Sequence, residues 1–176
     1  MMSSPMDQER LSAHCLTYLW MAVMILCPTL GQAMQRHQTI YSLIMDSASI
    51  QMPQTPTRSM GNGFATHNNI YTRPNAGFSP VAAAETSMII TVPASPETNS
   101  LETRLFHMVV HYPNGRDSIV VDGLSIALVP DAWMPMQTPS YRAITGGTGK
   151  FKGASGQAKF TRISPEFVKI ELDYAN

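Results

Sequence analysis

The sequence predicts an all-β domain of eight strands behind an N-terminal signal segment. Three observations carry that prediction. Long helical periodicity is absent, and short runs rich in β-branched and aromatic residues recur between Pro, Gly, Asn and Ser. The C-terminal stretch FVKIELDY alternates strictly, with Val168, Ile170, Leu172 and Tyr174 on one face and Lys169, Glu171 and Asp173 on the other. Successive strand side chains point to opposite faces, so this is a half-buried strand. Finally, two alternating runs flank Pro113-Asn114-Gly115-Arg116. Asn-Gly between such runs signals a hairpin whose two turn residues take positive φ.

The front of the chain reads differently. From Leu11 to Gln35 there is no Asp, Glu, Lys or Arg. Arg10 precedes this run and Gly31-Gln32-Ala33 closes it, a small-x-small pattern. These are the marks of a secretory signal peptide, 1–33, cleaved after Ala33. The alternative is an uncleaved anchor, since the run nearly reaches bilayer-spanning length. Both cysteines, Cys15 and Cys27, fall in this leader. The domain at 34–176 is therefore expected to be exported without disulfides and held by its core alone. No Asn-x-Ser/Thr sequon occurs.

Strands are expected near 37–46, 63–71, 78–92, 102–112, 117–128, 141–145, 155–163 and 167–174. Proline-bearing loops are expected at 51–61, 93–100 and 129–140, because proline removes a ladder donor and fixes φ. The whole chain of 176 residues suits one domain behind its leader. Lys plus Arg and Asp plus Glu both number 12, so no basic excess points to nucleic acid.

The segment RAITGGTGKFKGASGQAKF concentrates glycines but fits no phosphate loop. Five positions before Gly149 stands Ile144, and Phe151 follows Lys150. The dinucleotide pattern fails at Lys152, and the nucleophile elbow fails because Gly156 and Gln157 follow Gly153-Ala154-Ser155. Gly146, Gly147 and Gly149 are read as structural, at a strand-to-strand turn. His107 and His111 have the i, i+4 spacing of helical zinc sites, but on a strand they stand ~13 Å apart, too far to share a metal. No metal and no cofactor is expected. Asp122 falls in phase with Val120, Leu124 and Ile126. A carboxylate on an apolar face is either paired or a pocket acid with a raised pKa. Asp46, at the end of TIYSLIMD, carries a weaker version of the same choice.

SYRAITGGTGKFKGASGQAKFTRI resembles the glycine segment of the allene oxide cyclase and dirigent superfamily. FATHNNIYTRPNAG and FHMVVHYPNGRDSIVVDG are similar to that superfamily's second strand and central hairpin. The resemblance covers most of 37–176. It implies an eight-stranded antiparallel β-barrel with an apolar lumen, matching the count of strands. It further implies dimers or trimers. The first-strand Glu and Asn of the cyclases are replaced by Ser42 and Ile44, beside Tyr41, so their own reaction is not implied. Their pocket Asn matches Asn68, or Asn69 with a one-residue slip, and Asp46, displaced, stands nearest the dirigent first-strand Asp.

The function expected on this basis is that of a cofactor-free cyclase of secondary metabolism. It would hold a small apolar polyketide-, terpene- or lipid-like intermediate in its lumen and enforce a stereoselective cyclisation through proximity and a few hydrogen bonds. Asp122 and Asn68 are the expected catalytic groups, and Tyr41, Phe106 and Tyr112 the expected substrate-binding ones. The alternative is a dirigent-like or carrier barrel that orients a substrate without transforming it.

Overall fold

The computed structural model describes residues 34–44, 48–51, 60–95, 97, 101–128 and 134–176. The leader, Asp46 and much of the expected loops at 51–61, 93–100 and 129–140 lie outside the described residues. Nine strands form: β1 (Gln35–Leu43), β2 (Ala48–Gln51), β3 (Gly63–Tyr71), β4 (Ala82–Val92), β5 (Leu101–His111), β6 (Ser118–Leu128), β7 (Ser140–Thr148), β8 (Ser155–Arg162) and β9 (Phe167–Ala175).

All pairings between these strands are antiparallel, in the order β1-β9-β8-β7-β6-β5-β4-β3. The ring closes where Tyr41 meets Tyr71 and Ser42 meets Ile70 across β1 and β3. β2 pairs with β3 from Ala48 opposite His67 to Gln51 opposite Phe64, and β4 occupies the other edge of β3. β1 and β2 are thus one interrupted stave, and the nine segments make a closed eight-stranded barrel. The β1–β3 pairing removes the edges those two strands would otherwise present, the usual route of β-aggregation, while β2 pairs with β3 alone among the described residues.

Three boundaries differ from expectation. The first stave breaks after Leu43 and resumes at Ala48. The strand expected from 78 starts at Ala82, just after Pro80, which has no N–H for the ladder. β7 runs past 145 to Thr148, carried through its glycines by a register shift opposite Val120 and Val121. The central hairpin forms, but not with two positive φ values. Only Gly115 (φ 66°) is left-handed, and its N–H donates to Tyr112 O at 3.1 Å. This is a wider turn closed by a left-handed glycine, with Asn114 Oδ1 accepting from Arg116 and Asp117 N–H groups at 3.0 Å.

The end of the barrel bearing this hairpin is lined by buried apolar side chains. Ile40, Ile70, Ala82, Val110, Ile119, Leu172 and Tyr174 share one core cluster with Phe151, which is fully buried. Phe151 comes from the short 3₁₀ turn Gly149–Phe151 and lies against Tyr112 (ring centroids 5.2 Å) and Tyr174 (5.5 Å). The glycines upstream make this plug possible. A Cβ on Gly147 would lie 2.7 Å from Phe151 Cβ and inside contact distance of Ser118 O. Gly149 has φ 58°, and a Cβ there would strike the Asp117 carboxylate, which accepts from Lys150 N–H at 3.1 Å. Gly146 differs: a Cβ meets nothing within 4 Å, so its expected structural necessity is corrected to an ordinary strand position.

Candidate functional site

Toward the opposite end, where the β2–β3, β4–β5, β6–β7 and β8–β9 connections lie, the inward face changes character. The expectation of an apolar lumen holds only for the plugged half. On β5 the inward residues are Glu102, Arg104, Phe106, Met108 and Val110, all buried. On β7 they are Ser140, Arg142 and Ile144, and on β8 Ala158, Phe160 and Arg162. Among the described residues, three arginines and one glutamate therefore face this half of the lumen.

Arg104 and Glu102 pair with each other, Nε to Oε1 at 2.5 Å, with side chains 3% and 0% exposed. Phe64 packs on this arginine, 4.8 Å from ring centroid to Cζ. Arg142 is placed differently. Its residue is 3% exposed, and Cζ sits 4.1 Å from the centroids of both Phe106 and Phe160. Those rings meet edge to face, 5.4 Å apart, so the cation occupies the corner between them. Gly123 leaves room for the arginine stem: it is opposite Phe106 on β5, and a Cβ there would lie 3.2 Å from Arg142 Cβ and Cγ. The aromatic faces attract the charge, worth up to about 2 kcal/mol when desolvated, but they accept no conventional hydrogen bond. Nε and Nη1 of Arg142 are buried without a protein hydrogen-bond partner, and so is Oγ of Ser140, two residues earlier on the same face. Burial pushes the Arg142 pKa down to about 10, which still leaves it cationic at neutral pH.

The expected site residues divide between the two faces of the wall. Phe106 is inward and forms half of the Arg142 corner. Asn68 is inward and half-buried, its Nδ2 donating to Thr66 Oγ1 at 3.1 Å, while Asn69 points the other way. Tyr112 belongs to the plugged end: it stacks on Phe151 and its hydroxyl donates to Gln38 Oε1 at 3.1 Å. With Asn69, Pro80, Ala82, Ala83, His111 and Pro113 it also lines a shallow open groove of about 320 Å³, at the far end from Arg142. Tyr41 faces outward, where it packs with Leu43, Tyr71 and Phe167, so it does not line the lumen as expected.

Asp122 is the larger correction. Its in-phase neighbours Leu124 and Ile126 are 58% and 47% exposed, whereas Ile119, Val121, Ser125 and Ala127 are the buried set. Asp122 therefore lies on the outer wall, where its carboxylate meets His107 Nδ1 at 2.6 Å and accepts from Thr145 Oγ1 at 2.5 Å. Partial burial raises its pKa, but the bonds from Thr145 and His107 and the nearby imidazole outweigh that and leave it lowered. A raised-pKa pocket acid is thus replaced by a surface carboxylate held ionised. A carboxylate with a lowered folded pKa adds stability above its unfolded pKa and loses it as pH falls through the folded value. Asp122→Asn should thus change stability at pH 7 by under about 1 kcal/mol, because the pair is exposed and screened, and the small difference should vanish in acid. Any catalytic activity of the chain should be unaffected. Chemical denaturation at pH 7 and pH 3 checks the first part, and a large loss at pH 7 would restore Asp122 to importance.

Arg142, Phe160, Ser140, Glu102 and Arg104 were missed in the sequence, though a signal for them exists. Arg142 is in phase with Ile144, and Glu102 and Arg104 with Phe106 and Met108. Each is a charge in phase with buried apolar residues, whereas Asp122 is in phase with the exposed Leu124 and Ile126.

No family model matches the chain, and no curated protein matches it in sequence. Solved structures do match in fold. The pterocarpan synthase dirigent protein GePTS1 is 14% identical, with a TM-score of 0.63 over 81% of this chain and 88% of that one. A pyocyanin demethylase is 15% identical, with a TM-score of 0.58 over 80% of this chain and all of that one. The Diels Alderase AbmU from Streptomyces koyangensis is 10% identical, with a TM-score of 0.55 over all of this chain and 83% of that one. At these identities the likeness concerns the barrel: this chain shares its fold with dirigent proteins and with a Diels–Alderase. What happens inside must be argued from this chain's own residues.

Proposed function

We propose that the barrel is a cyclase that takes a small, largely apolar organic molecule into the Arg142 half of its lumen and folds it for a stereoselective ring closure. One observation carries the reading: a cation with no hydrogen-bond partner among the described residues, buried in a corner of two aromatic rings, inside a barrel of a size to hold one small ligand. An isolated buried charge is costly, and a site that keeps one gains when a ligand oxygen arrives. Arg142 and Ser140 would hold a carbonyl or oxyanion of the substrate and stabilise charge as it develops there, while Phe106 and Phe160 shape the rest of the molecule. Holding a flexible chain near its closing geometry contributes through entropy lost in advance. Asn68, inward and half-buried, is a further polar contact. The leader, with its uncharged run from Leu11, would deliver the chain to the secretory pathway.

The fold likeness to dirigent proteins favours a second reading, orientation of a substrate activated elsewhere. One experiment separates the two. In the source organism, removing this chain should cause an uncyclised precursor to accumulate. Purified full chain added to that precursor should accelerate closure and give one enantiomer in excess. A dirigent-like barrel leaves the rate unchanged and alters handedness only with a separate oxidant present. Unchanged metabolites after removal, with no effect of the protein on rate or handedness, would end both readings.

A further inference from the structure

The lumen has an unbalanced charge. Among the described residues its buried or half-buried inward charges are Glu102, Arg104, Arg142 and Arg162. Glu102 is matched by Arg104 at 2.5 Å. Arg162, half-buried at the rim, donates to the carbonyls of Met134 and Pro165, each at 3.5 Å. Five other acids among the described residues are committed elsewhere. Glu85, Asp122 and Asp173 face outward to His67, His107 and His37, Glu171 to Lys159 and Lys169, and Asp117 is committed to the hairpin at the plugged end. Arg142 is thus a guanidinium with two ring faces and a neighbouring Ser140 hydroxyl, and among the described residues it has no carboxylate partner.

Two rings and an arginine could form a purely structural cluster, but such a cluster has no use for a charge. A methionine or leucine in the same corner would fill it without the desolvation cost, and replacing buried ions by apolar residues of similar size is often neutral or stabilising. An arginine is worth its cost where a planar oxyanion meets it, because its fixed N–H groups match a carboxylate or enolate and the partner's charge is balanced in a dry site. The Ser140 hydroxyl adds a donor on the same strand face, about two residues away.

We propose that the ligand of this lumen is an organic anion, a planar carboxylate or acidic enolate attached to an apolar or aromatic body, with its oxygens on Arg142 and Ser140 and its body against Phe106 and Phe160. This rests on the lumen-binding reading above and narrows it from an apolar molecule to an apolar acid. The consequence for the chemistry is direct. An acidic head group anchored at Arg142 fixes which end of the substrate lies deepest, and electron density withdrawn toward the cation polarises any double bond conjugated with it.

The test uses the full chain with two matched probes, 2-naphthoate and 2-naphthalenemethanol, which share a flat two-ring body and differ in charge. Calorimetric titration at pH 7 should show the acid binding at least about tenfold more tightly than the alcohol, the usual scale of one charge-assisted hydrogen bond. Arg142→Met should abolish that preference while the melting temperature holds or rises, and Arg142→Lys should restore part of it. Equal affinity of both probes for the parent overturns the anion assignment but leaves a lumen site standing. Binding of neither probe overturns this inference and weighs against lumen binding itself. A preference retained in Arg142→Met moves the anion elsewhere, and a sharp fall in melting temperature with affinity unchanged makes Arg142 a structural cluster residue.

Discussion

Glu102→Ala is expected to destabilise the folded chain by about 3–5 kcal/mol, the range found when one partner of a buried ion pair is removed. Glu102 is fully buried and its carboxylate meets Arg104 at 2.5 Å, while Arg104 itself is 3% exposed. Taking away the acid leaves a cation in the lumen with Phe64 beside it, 4.8 Å from its centroid to Cζ. One ring contributes far less than the lost carboxylate to a cation that is 3% exposed. The double change Glu102→Leu with Arg104→Met should recover most of the loss, because both desolvation costs disappear together. Urea denaturation of the three variants is the measurement. A Glu102→Ala protein within about 1 kcal/mol of the parent would mean that this half of the lumen is wet enough to hold Arg104 without its carboxylate. The Arg142 corner would then be wet too, and its unpaired N–H groups would carry much less meaning.

That dependence shows which parts of the molecule could be read in advance. The strand count was legible because turn residues punctuate every run and FVKIELDY admits one phase only. β6 was not, because SIVVDGLSIAL is apolar on both faces. Ile119, Val121 and Ala127 fill the core, but Leu124, Ile126 and Leu128 are exposed on the outer wall, where Leu124 lies opposite Leu105 and Leu105 opposite Ile89. An apolar outer stripe removes the contrast that periodicity relies on. Asp122 was consequently assigned to the wrong face, and with it the expected catalytic group. Tyr41 failed for a related reason. It belongs to a small outer cluster with Leu43, Tyr71 and Phe167, which looks in sequence like any buried aromatic run. Asn68 and Phe106 do face inward, the first through its match to a family position and the second through alternation in LETRLFHMVVH. Arg142 needed three strands at once: Phe106 on β5, Gly123 on β6 and Phe160 on β8 are 54 residues apart at the extremes. Only closure of the ring brings them around one guanidinium.

The glycine segment is the converse case, where the sequence reading identified the role but not the partners. Gly147→Val is expected to be among the most damaging single substitutions in the barrel. Its Cβ would collide with the backbone carbonyls of Ser118 and Phe151 and lie 2.7 Å from Phe151 Cβ. Two of those contacts are backbone, on β6 and on the turn that supplies the plug, so no side-chain rotation relieves them. Overpacking a well-packed site typically costs 1–3 kcal/mol, and here a rigid neighbour puts the loss at about 3 kcal/mol or more. For a domain of this size that corresponds to roughly 10 °C in melting temperature. Gly146→Ala, one residue earlier and with nothing within 4 Å, should stay within about 0.5 kcal/mol of the parent. The pair isolates the cause, since the positions share strand, exposure and composition but not neighbours. The effect should also be confined to folding. Phe151 and Arg142 occupy opposite halves of the lumen, so the Gly147→Val protein that remains folded at low temperature should bind 2-naphthoate like the parent. Thermal denaturation followed by circular dichroism, with titration well below the midpoint, reads both quantities. A Gly147→Val protein that melts normally but loses the ligand would invert the argument, making the glycine segment part of the binding site and the plug dispensable.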